Sequence, residues 1–296
     1  MSGAARTRIL WGMALYRLNG EPRLEAPVLV TAFDGWVDAA SAATTAANHV
    51  ADDGEQIAVF DADQLIDYRA RRPVLDIVDG DLKSLSWPQI TVRSVRAGAR
   101  DVVVLTGPEP DFRWHELSDA VLDLVMRLGV VESVTLGSLG LAVPHTRPTQ
   151  ITATSSRPEL LGPDDQRTEG LLRVPAAAVS VIEMNLRDHG IPTIGFFAQT
   201  PHYVSATYAP AVLALLERLG RHLDVVLPLG SLPADATSQR EQLDHIVEER
   251  PEIKEYVERL EAAFQPGWSI PTADELGAEI ERFLRREGGE GRSGNY

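Results

Sequence analysis

Two Pro-His pairs stand directly after strand-like segments of the chain. The first, Pro144-His145, follows a run rich in β-forming residues and is itself followed by Arg147. The second belongs to Pro201-His202-Tyr203, which follows the strand-like residues 191–198. Ligands in open α/β sheets gather at the carboxyl ends of strands. Histidine can transfer protons there and arginine can hold a carboxylate or another anion, so these residues predict either one pocket or one interface.

A loop with two aspartates separates the first strong strand pattern from an alanine-rich helix pattern. The loop contains Asp34, Trp36 and Asp38. Either aspartate could act as a general base or as a metal ligand. Each could instead cap the helix that follows, as aspartate commonly does. A metal site needs a cluster of ligands, which this loop alone does not provide, and we predict no metal.

A second acidic loop places Glu109 between two prolines. Glu109 and Asp111 could pair with Arg147, or could share a proton with each other. The alternative is a turn shaped by the prolines, with Trp114 covering the edge of the sheet. The candidate binding residues, in a pocket or an interface, are therefore Asp34, Trp36, Asp38, Glu109, His145, Arg147, His202 and Tyr203.

The segment Gly137-Ser138-Leu139-Gly140 invites a serine hydrolase interpretation, with His145 as the base and Asp34 orienting it. A nucleophile elbow places glycine two residues before the serine and two residues after it. Leu136 occupies the first of these positions, so the motif fails and we predict no catalytic residue. The glycines are also too few for a phosphate-binding loop, and the chain has no cysteine for a thiolate or a Cys-based metal site.

The acidic composition narrows the range of partners. The 296 residues include 43 Asp and Glu against 28 Lys and Arg, which gives a formal net charge of -15 at pH 7. Nucleic acids and anionic membranes attract clustered Lys and Arg, so neither is an expected partner. No apolar run approaches the roughly 20 residues of a transmembrane helix, and no signal-peptide pattern is present. We therefore expect a cytoplasmic protein.

Strand and helix patterns alternate up to about residue 220. Residues 114–128 form a helix pattern with one apolar face, and residues 175–188 form another that starts at a proline and ends before a glycine. Such alternation predicts a three-layer α/β domain with a mixed, largely parallel sheet. Strand patterns occur at residues 27–33, 56–60, 74–78, 90–95, 101–106, 131–136, 150–154 and 191–198.

The composition changes after Gly230 and becomes helical and strongly charged. Capping patterns at Ser238-Glu241 and Thr272-Glu275 open helical patterns, and Pro251 divides the first of them. We expect an α/β domain over residues 1–230 and a helical appendage over residues 231–287, packed on that domain or on a neighbouring subunit. Residues 288–296, rich in Gly and Ser, are expected to be a disordered tail.

The segments that carry these residues resemble the PAC2 family, named after proteasome assembly chaperone 2. They are residues 33–40, 107–111, 136–148 and 190–204, and the helical C-terminus resembles the actinobacterial branch. The resemblance implies an α/β fold similar to nucleoside phosphorylases and peptidyl-hydrolase-like enzymes, and implies oligomerisation. It also implies a role in assembling the 20S proteasome, which some relatives perform by inserting a C-terminal hydrophobic-Tyr-X tail. Here Tyr296 is last and follows Asn295, so we do not expect that tail to operate.

Two functions from different classes fit these residues. The first is a homo-oligomeric PAC2-type binding protein, an assembly chaperone or adaptor with 20S proteasome subunits as partners and no cofactor. The alternative is a small-molecule hydrolase or phosphorylase-like enzyme with a polar site at the strand carboxyl ends. The enzyme interpretation requires the side chains of Asp34, Glu109, His145, Arg147 and His202 to share one pocket, on the order of 10 Å across.

Overall fold

The computed structural model describes residues 15–163, 165–167 and 170–264, which form ten strands and seven α-helices. The strands are β1 (Tyr16–Leu18), β2 (Val28–Asp34), β3 (Glu55–Phe60), β4 (Val74–Val78), β5 (Asp81–Ser86), β6 (Thr91–Ala97), β7 (Arg100–Pro108), β8 (Glu132–Leu141), β9 (Ile151–Ser155) and β10 (Thr193–Pro201). The α-helices are α1 (Ala42–Val50), α2 (Ala62–Leu65), α3 (Trp114–Leu128), α4 (Ala178–Asp188), α5 (Ala209–Leu223), α6 (Leu232–Glu249) and α7 (Pro251–Ala263). Single 3-10 turns occupy Ala39–Ser41 and Pro158–Leu160.

Eight strands form one mixed sheet in the order β1-β3-β6-β7-β2-β8-β10-β9. β2 pairs in parallel with both β7 and β8, so that Val28 lies opposite Val102 on one side and Glu132 on the other. β1 pairs antiparallel with β3, β3 with β6, β6 with β7, and β9 with β10. The predicted α/β class with a mixed sheet is confirmed. The parallel β7-β2-β8 pairings lie at the centre, where β2 is almost wholly buried and correspondingly apolar, and the outer pairings described here are antiparallel.

The third strand of the parallel centre, β8, is longer than the sequence pattern predicts. The pattern ends at Leu136 before two glycines, whereas β8 continues through both glycines to Leu141. A Cβ atom on Gly137 would lie 2.3 Å from the ring of Phe197 in β10, so only glycine fits at this position of the strand. Gly137 therefore makes room for the Phe197 ring, and the strand continues through it.

The chain divides into two compact units, each made of several segments. The first contains residues up to 35, residues 47–135 and residues 178–193. It holds the hairpin β4–β5 and the helices α3 and α4, which pack on each other. The second contains residues 36–46, 136–177 and those from 194 onward, and in it α6 packs on both α5 and α7.

The two C-terminal helices of the described region follow the predicted pattern with one change. α6 begins at Leu232 and not at the predicted cap Ser238, because Pro233 occupies the first turn and the Ser231 hydroxyl donates to the Asp235 carboxylate at 2.8 Å. α7 begins at Pro251, as predicted. The predicted third helix and the predicted tail lie outside the described residues. The domain limits at 230 and 287 stay a prediction.

An ion pair with almost no exposed surface joins Asp165 to α5 in the second unit. Only 9% of the Arg218 side chain and 4% of the Asp165 side chain are accessible. The Arg218 Nε donates to Asp165 Oδ1 at 2.6 Å, Nη2 donates to Oδ2, and the guanidinium lies 4.1 Å from the ring centre of Phe196. Burial by itself would raise the pKa of Asp165, but the bonds from Arg218 and from the Gly162 N–H hold that pKa below its usual value.

We expect Arg218→Ala to lower the free energy of unfolding by about 3–5 kcal/mol, because it leaves the Asp165 carboxylate buried without its partner. Urea denaturation of the purified protein measures the change. Lys83→Ala is the control, because it removes a solvent-exposed partner of Asp81. It should lower the free energy of unfolding by less than about 1 kcal/mol. Equal losses for the two variants would contradict this assignment.

Candidate functional site

The two carboxylates at the strand ends of the first unit, Asp34 and Glu109, bond within the chain. Asp34 Oδ1 accepts the Glu109 N–H at 3.0 Å, and Oδ2 accepts from Arg71 Nη1 at 2.7 Å. Glu109 Oε1 accepts the N–H of Ala178 at 2.8 Å and so satisfies an amide at the start of α4. The structure therefore brings the Asp34 carboxylate to the Glu109 backbone. Their hydrogen bonds fix two loops and one helix end.

Gly35 explains how the two strand-end loops come so close. Its φ of +119° lies in a region that glycine alone adopts readily. A Cβ atom at this position would lie 2.8 Å from Glu109 Oε2. Glycine therefore lets the Asp34 loop pass directly over the Glu109 carboxylate. Asp111, the other acid of that loop, accepts the N–H of Asp67 at 2.7 Å.

Asp38 in the second unit is a helix cap. Its Oδ1 accepts the N–H of Ala43 at 2.8 Å and that of Thr44 at 3.2 Å, and Oδ2 accepts the Thr44 hydroxyl. These groups form the first turn of α1, as the capping alternative predicts. Ser138 is completely buried, and its hydroxyl donates to the Ala39 carbonyl at 2.8 Å. It is not placed to attack a substrate, in agreement with the failed elbow motif.

His145 has no exposed surface, and both of its ring nitrogens have partners. Nδ1 lies 2.7 Å from the Tyr203 hydroxyl, and Nε2 lies 3.2 Å from Asp244 Oδ1 in α6. A carboxylate only accepts, so Nε2 carries the proton and Nδ1 accepts from Tyr203. The Tyr203 oxygen also accepts the backbone N–H of His145 at 2.8 Å. The neutral imidazole is thus fully bonded inside the chain.

His202 connects the neighbouring strand end to α7. Its Nδ1 lies 3.0 Å from the Leu141 carbonyl and must donate to it, which leaves Nε2 to accept from the Tyr256 hydroxyl at 3.0 Å. The rings of His202, Tyr203 and Tyr256 meet edge to face. We call His145, His202, Tyr203, Asp244 and Tyr256 the histidine–tyrosine cluster. It fastens α6 and α7 to the ends of β8 and β10.

Burial sets the protonation state of this cluster. Desolvation lowers the pKa of His145 below its ordinary value, although the charge and hydrogen bond of Asp244 oppose the shift. Desolvation likewise raises the pKa of Tyr203 and raises that of the neighbouring Tyr208 to about 12. His145 and Tyr203 are therefore both neutral in the folded protein.

Arg147 and Trp36 keep their side chains at the surface. Arg147 is exposed and lines a narrow cleft together with Gln150, Gln199 and Phe264. Trp36, in the loop after β2, exposes 60% of its surface. Within residues 15–163, 165–167 and 170–264, no group of three or more His, Asp or Glu side chains is placed to hold a metal ion.

Five of the eight predicted site residues take part in two sets of hydrogen bonds, one in each unit. Asp34 and Glu109 belong to the first unit, while His145, His202 and Tyr203 form part of the cluster in the second. The prediction that all eight share one site stays a prediction. Sequence reasoning missed Asp244 and Tyr256, the helical partners of the two histidines. Nothing local distinguishes Asp244 from a solvent-facing residue of its charged helix. The helical pattern places Tyr256 on an apolar face but does not reveal a histidine as its partner.

Comparisons with known proteins show the family of this chain. The PAC2 family model matches residues 32–247, well over half of the chain. The chain belongs to the PAC2 family. A PAC2 protein from Streptomyces avermitilis is 36% identical, with a TM-score of 0.70 over 78% of this chain and 99% of that one. A proteasome-assembly chaperone homologue from Mycobacterium tuberculosis is 34% identical, with a TM-score of 0.71 over the same shares of the two chains.

A protein of unknown function from Corynebacterium glutamicum is also similar to this chain. It is 36% identical, with a TM-score of 0.78 over 83% of this chain and 95% of that one. The comparison with curated proteins gave no match. Of the helices in the described part of this PAC2 protein, none is long and apolar enough to cross a membrane.

We expect Tyr203→Phe to destabilise this PAC2 protein by about 1–3 kcal/mol, because the His145 N–H and Nδ1 both lose their partner in a buried setting. Tyr68→Phe is the matched control, since its hydroxyl bonds to Asp63 at the surface. We expect Tyr68→Phe to lower the free energy of unfolding by well under 1 kcal/mol, because it removes a single solvent-exposed hydrogen bond. Chemical denaturation measures the free energy of unfolding of both variants. A Tyr203→Phe variant as stable as the control would show that the histidine–tyrosine cluster does not stabilise the fold.

The lowered pKa of His145 predicts a dependence of stability on pH. Between the folded pKa and the ordinary value of 6.5, the unfolded chain binds more protons than the folded chain, so stability falls as the pH drops through that window. His145→Asn should flatten the fall in unfolding free energy between about pH 7 and pH 5. His189→Asn, which removes an exposed histidine just after α4, should leave the slope as in the wild type. Identical slopes for all three proteins would contradict the buried neutral histidine.

Proposed function

We propose that this PAC2 protein is a non-enzymatic, homo-oligomeric binding protein that assists or adapts the assembly of the 20S proteasome in the cytoplasm. The observation that carries the proposal is the family match over residues 32–247, together with 34% identity to a proteasome-assembly chaperone homologue along nearly all of that homologue. Proteasome subunits are proteins, so we expect them to bind an exposed surface of the chain and not a pocket.

The contacts at the strand ends support binding over catalysis. A general acid or base must present its titratable atom to a substrate at hydrogen-bond distance. Glu109 is bonded to a helix amide, Asp38 caps α1, and both nitrogens of His145 are satisfied within the chain. The same side chains that suggested a catalytic pocket therefore hold the fold together, which leaves protein recognition as the better supported function.

Trp36 is the predicted site residue that best suits a protein interface. Tryptophan is enriched among the residues that dominate binding energy, because a large rigid side chain is desolvated at little cost in entropy. In the loop after β2 Trp36 exposes 60% of its surface, so its ring is accessible to a partner. We therefore assign Trp36 to the surface that meets the partner.

Co-expression of the tagged chain with proteasome α- and β-subunits of the same organism tests the proposal. We expect α-subunits or assembly precursors to co-purify and to be visible by native mass spectrometry. Deletion of the gene should slow the appearance of the mature 20S particle. The proposal would be refuted if no proteasome subunit co-purified with the tagged chain and the 20S particle assembled normally in the deletion strain.

Trp36→Ala should weaken capture of α-subunits at least about tenfold, in line with the typical energy of an interface anchor. Met126→Ala is the matched control, because Met126 in α3 exposes 64% of its surface and lies outside the predicted set. Neither substitution removes buried contacts, so thermal denaturation should be unchanged for both. Equal capture by the two variants would exclude Trp36 from the interface.

A further inference from the structure

A narrow cleft lies beside the loop that follows β8 in the second unit. Its lining comes from loop residues between 143 and 150, from Gln199 and Pro201 of β10, from Tyr208 just before α5 and from Phe264 just after α7. The cleft holds about 10 Å³ of free space. That volume is close to the minimum for one water-sized group. The cleft therefore admits the end of a ligand, such as a single oxygen atom, and no large molecule.

Tyr208 lines this cleft and has only 1% of its surface exposed. Its backbone N–H donates to the Ala40 carbonyl, but its hydroxyl has no hydrogen-bond partner among the described residues. A buried tyrosine hydroxyl usually has a partner, because leaving the bond unmade costs free energy. The hydroxyl of Tyr203 follows that rule by bonding to His145. Tyr208 therefore offers a buried donor to a group that binds in the cleft.

The surroundings of the Tyr208 hydroxyl favour an anion as that group. Desolvation raises the pKa of Tyr208 to about 12, so the hydroxyl keeps its proton and can donate a hydrogen bond. Two charged side chains of α6 act on it in opposite directions. Arg240 lowers the pKa of Tyr208 and Asp244 raises it, and the effect of Arg240 is the larger. The charges of α6 therefore favour a negative group beside this hydroxyl.

Arg147 supplies a positive charge at the same cleft. Its side chain is exposed, and within the described part of the chain its guanidinium pairs with no carboxylate. The chain has 43 Asp and Glu against 28 Lys and Arg, so carboxylates that could pair with an arginine are abundant. The Arg147 N–H donates to the Pro144 carbonyl, and Pro148 follows directly, so its backbone is held in a short turn. A guanidinium presented in this way can bind a carboxylate through two parallel hydrogen bonds.

The lining of the cleft fits a carboxylate better than a phosphate. Among the described residues that line it, Arg147 is the only charged one. A phosphate monoester carries about −1.5 to −2 charges at pH 7 and needs more cations or donors, whereas a carboxylate carries a single charge. Pro148, Pro201 and Phe264 add apolar surface to the lining, which suits the hydrocarbon part of an organic acid.

We propose that this cleft binds the carboxylate end of a ligand, with Tyr208 and Arg147 as its hydrogen-bond donors. The inference goes beyond the proposed function and does not depend on proteasome binding. Two sources share this chemistry, a small apolar acid and the C-terminus of a peptide, and the experiment separates them. Because only a few ligand atoms contact the cleft, we expect a dissociation constant of about 1 mM.

Ligand-detected NMR titration of the purified full chain tests the proposal. The probes are butyrate and the peptide N-acetyl-Ala-Ala-Leu with a free carboxylate. Each has a matched amide, butyramide or the C-terminally amidated peptide, which keeps the shape and removes the charge. We expect the acids to bind at least about tenfold more tightly than the amides. Binding of butyrate would support a small acid as the ligand, and binding of the peptide acid alone would support a peptide C-terminus.

Substitutions of Arg147 test the contribution of its charge. Arg147→Gln should weaken binding of the acids at least about tenfold, because it removes the charge from the cleft. Arg147→Lys keeps the charge without the two parallel bonds and should bind with intermediate strength. Arg221→Gln is the matched control, because it removes an exposed arginine in the last turn of α5, at the end of that helix far from Tyr208. It should leave the dissociation constant unchanged.

Tyr208→Phe tests the buried donor. It should weaken binding of the acids at least about threefold, because one hydrogen bond to a charged group is lost. The Tyr208 hydroxyl has no partner among the described residues, so thermal denaturation should be unchanged, in contrast to Tyr203→Phe.

Four results would overturn the inference. They are no binding of either acid up to about 20 mM, acids that bind no more tightly than their amides, equal binding by the wild type and Arg147→Gln, and inorganic phosphate that binds more tightly than butyrate. No proteasome subunit is present in these assays. Their failure would therefore leave proteasome binding intact, and failure of the co-expression experiment would leave the carboxylate site intact.

Discussion

A neutral imidazole with no exposed surface holds the C-terminal half of the second unit in place. His145 uses one nitrogen to accept from Tyr203 and the other to donate to Asp244, so the loop after β8 is tied both to the end of β10 and to α6. Charging the ring would remove the acceptor that Tyr203 needs and would place a cation where burial disfavours it. His202 and Tyr256 add the link to α7, and Thr146 bonds to Glu261 on the same helix. The helices that look like an appendage in sequence are therefore fastened by polar contacts that centre on the buried His145.

The strand ends of the first unit follow the same principle with carboxylates. The Asp34 carboxylate accepts from the Glu109 N–H and from Arg71, and the Glu109 carboxylate accepts from the first amide of α4. Glycine at position 35 makes the close passage of the two loops feasible. An open α/β sheet usually offers its strand ends to a ligand. Here the polar groups at those ends stabilise the sheet connections instead.

Much of the fold could be read from local patterns. The apolar face of residues 114–128 predicted α3 with both of its limits, because apolar residues at helical spacing over a long segment fit a helix and not a strand. The central strands, the helix break at Pro251 and the capping role of Asp38 followed equally from local chemistry. The strands β1 and β5 were missed, since short segments with charged or mixed residues carry no strong pattern. The end of β8 was misplaced because Gly137 is required by the close approach of the Phe197 ring, and Phe197 lies 60 positions away in the chain.

The sequence by itself determined most of the elements, the family resemblance and the set of polar residues that follow the strands. Each of these depends on neighbours within a few positions, where periodicity and turn chemistry are informative. Only the tertiary structure decided what those polar residues do. Asp244 lies 99 positions from His145, and Glu109 lies 69 positions from the amide of Ala178 that it bonds. A histidine that will be buried and neutral has the same local sequence as one that will face a substrate, because desolvation and the choice of partner exist only once the chain has folded.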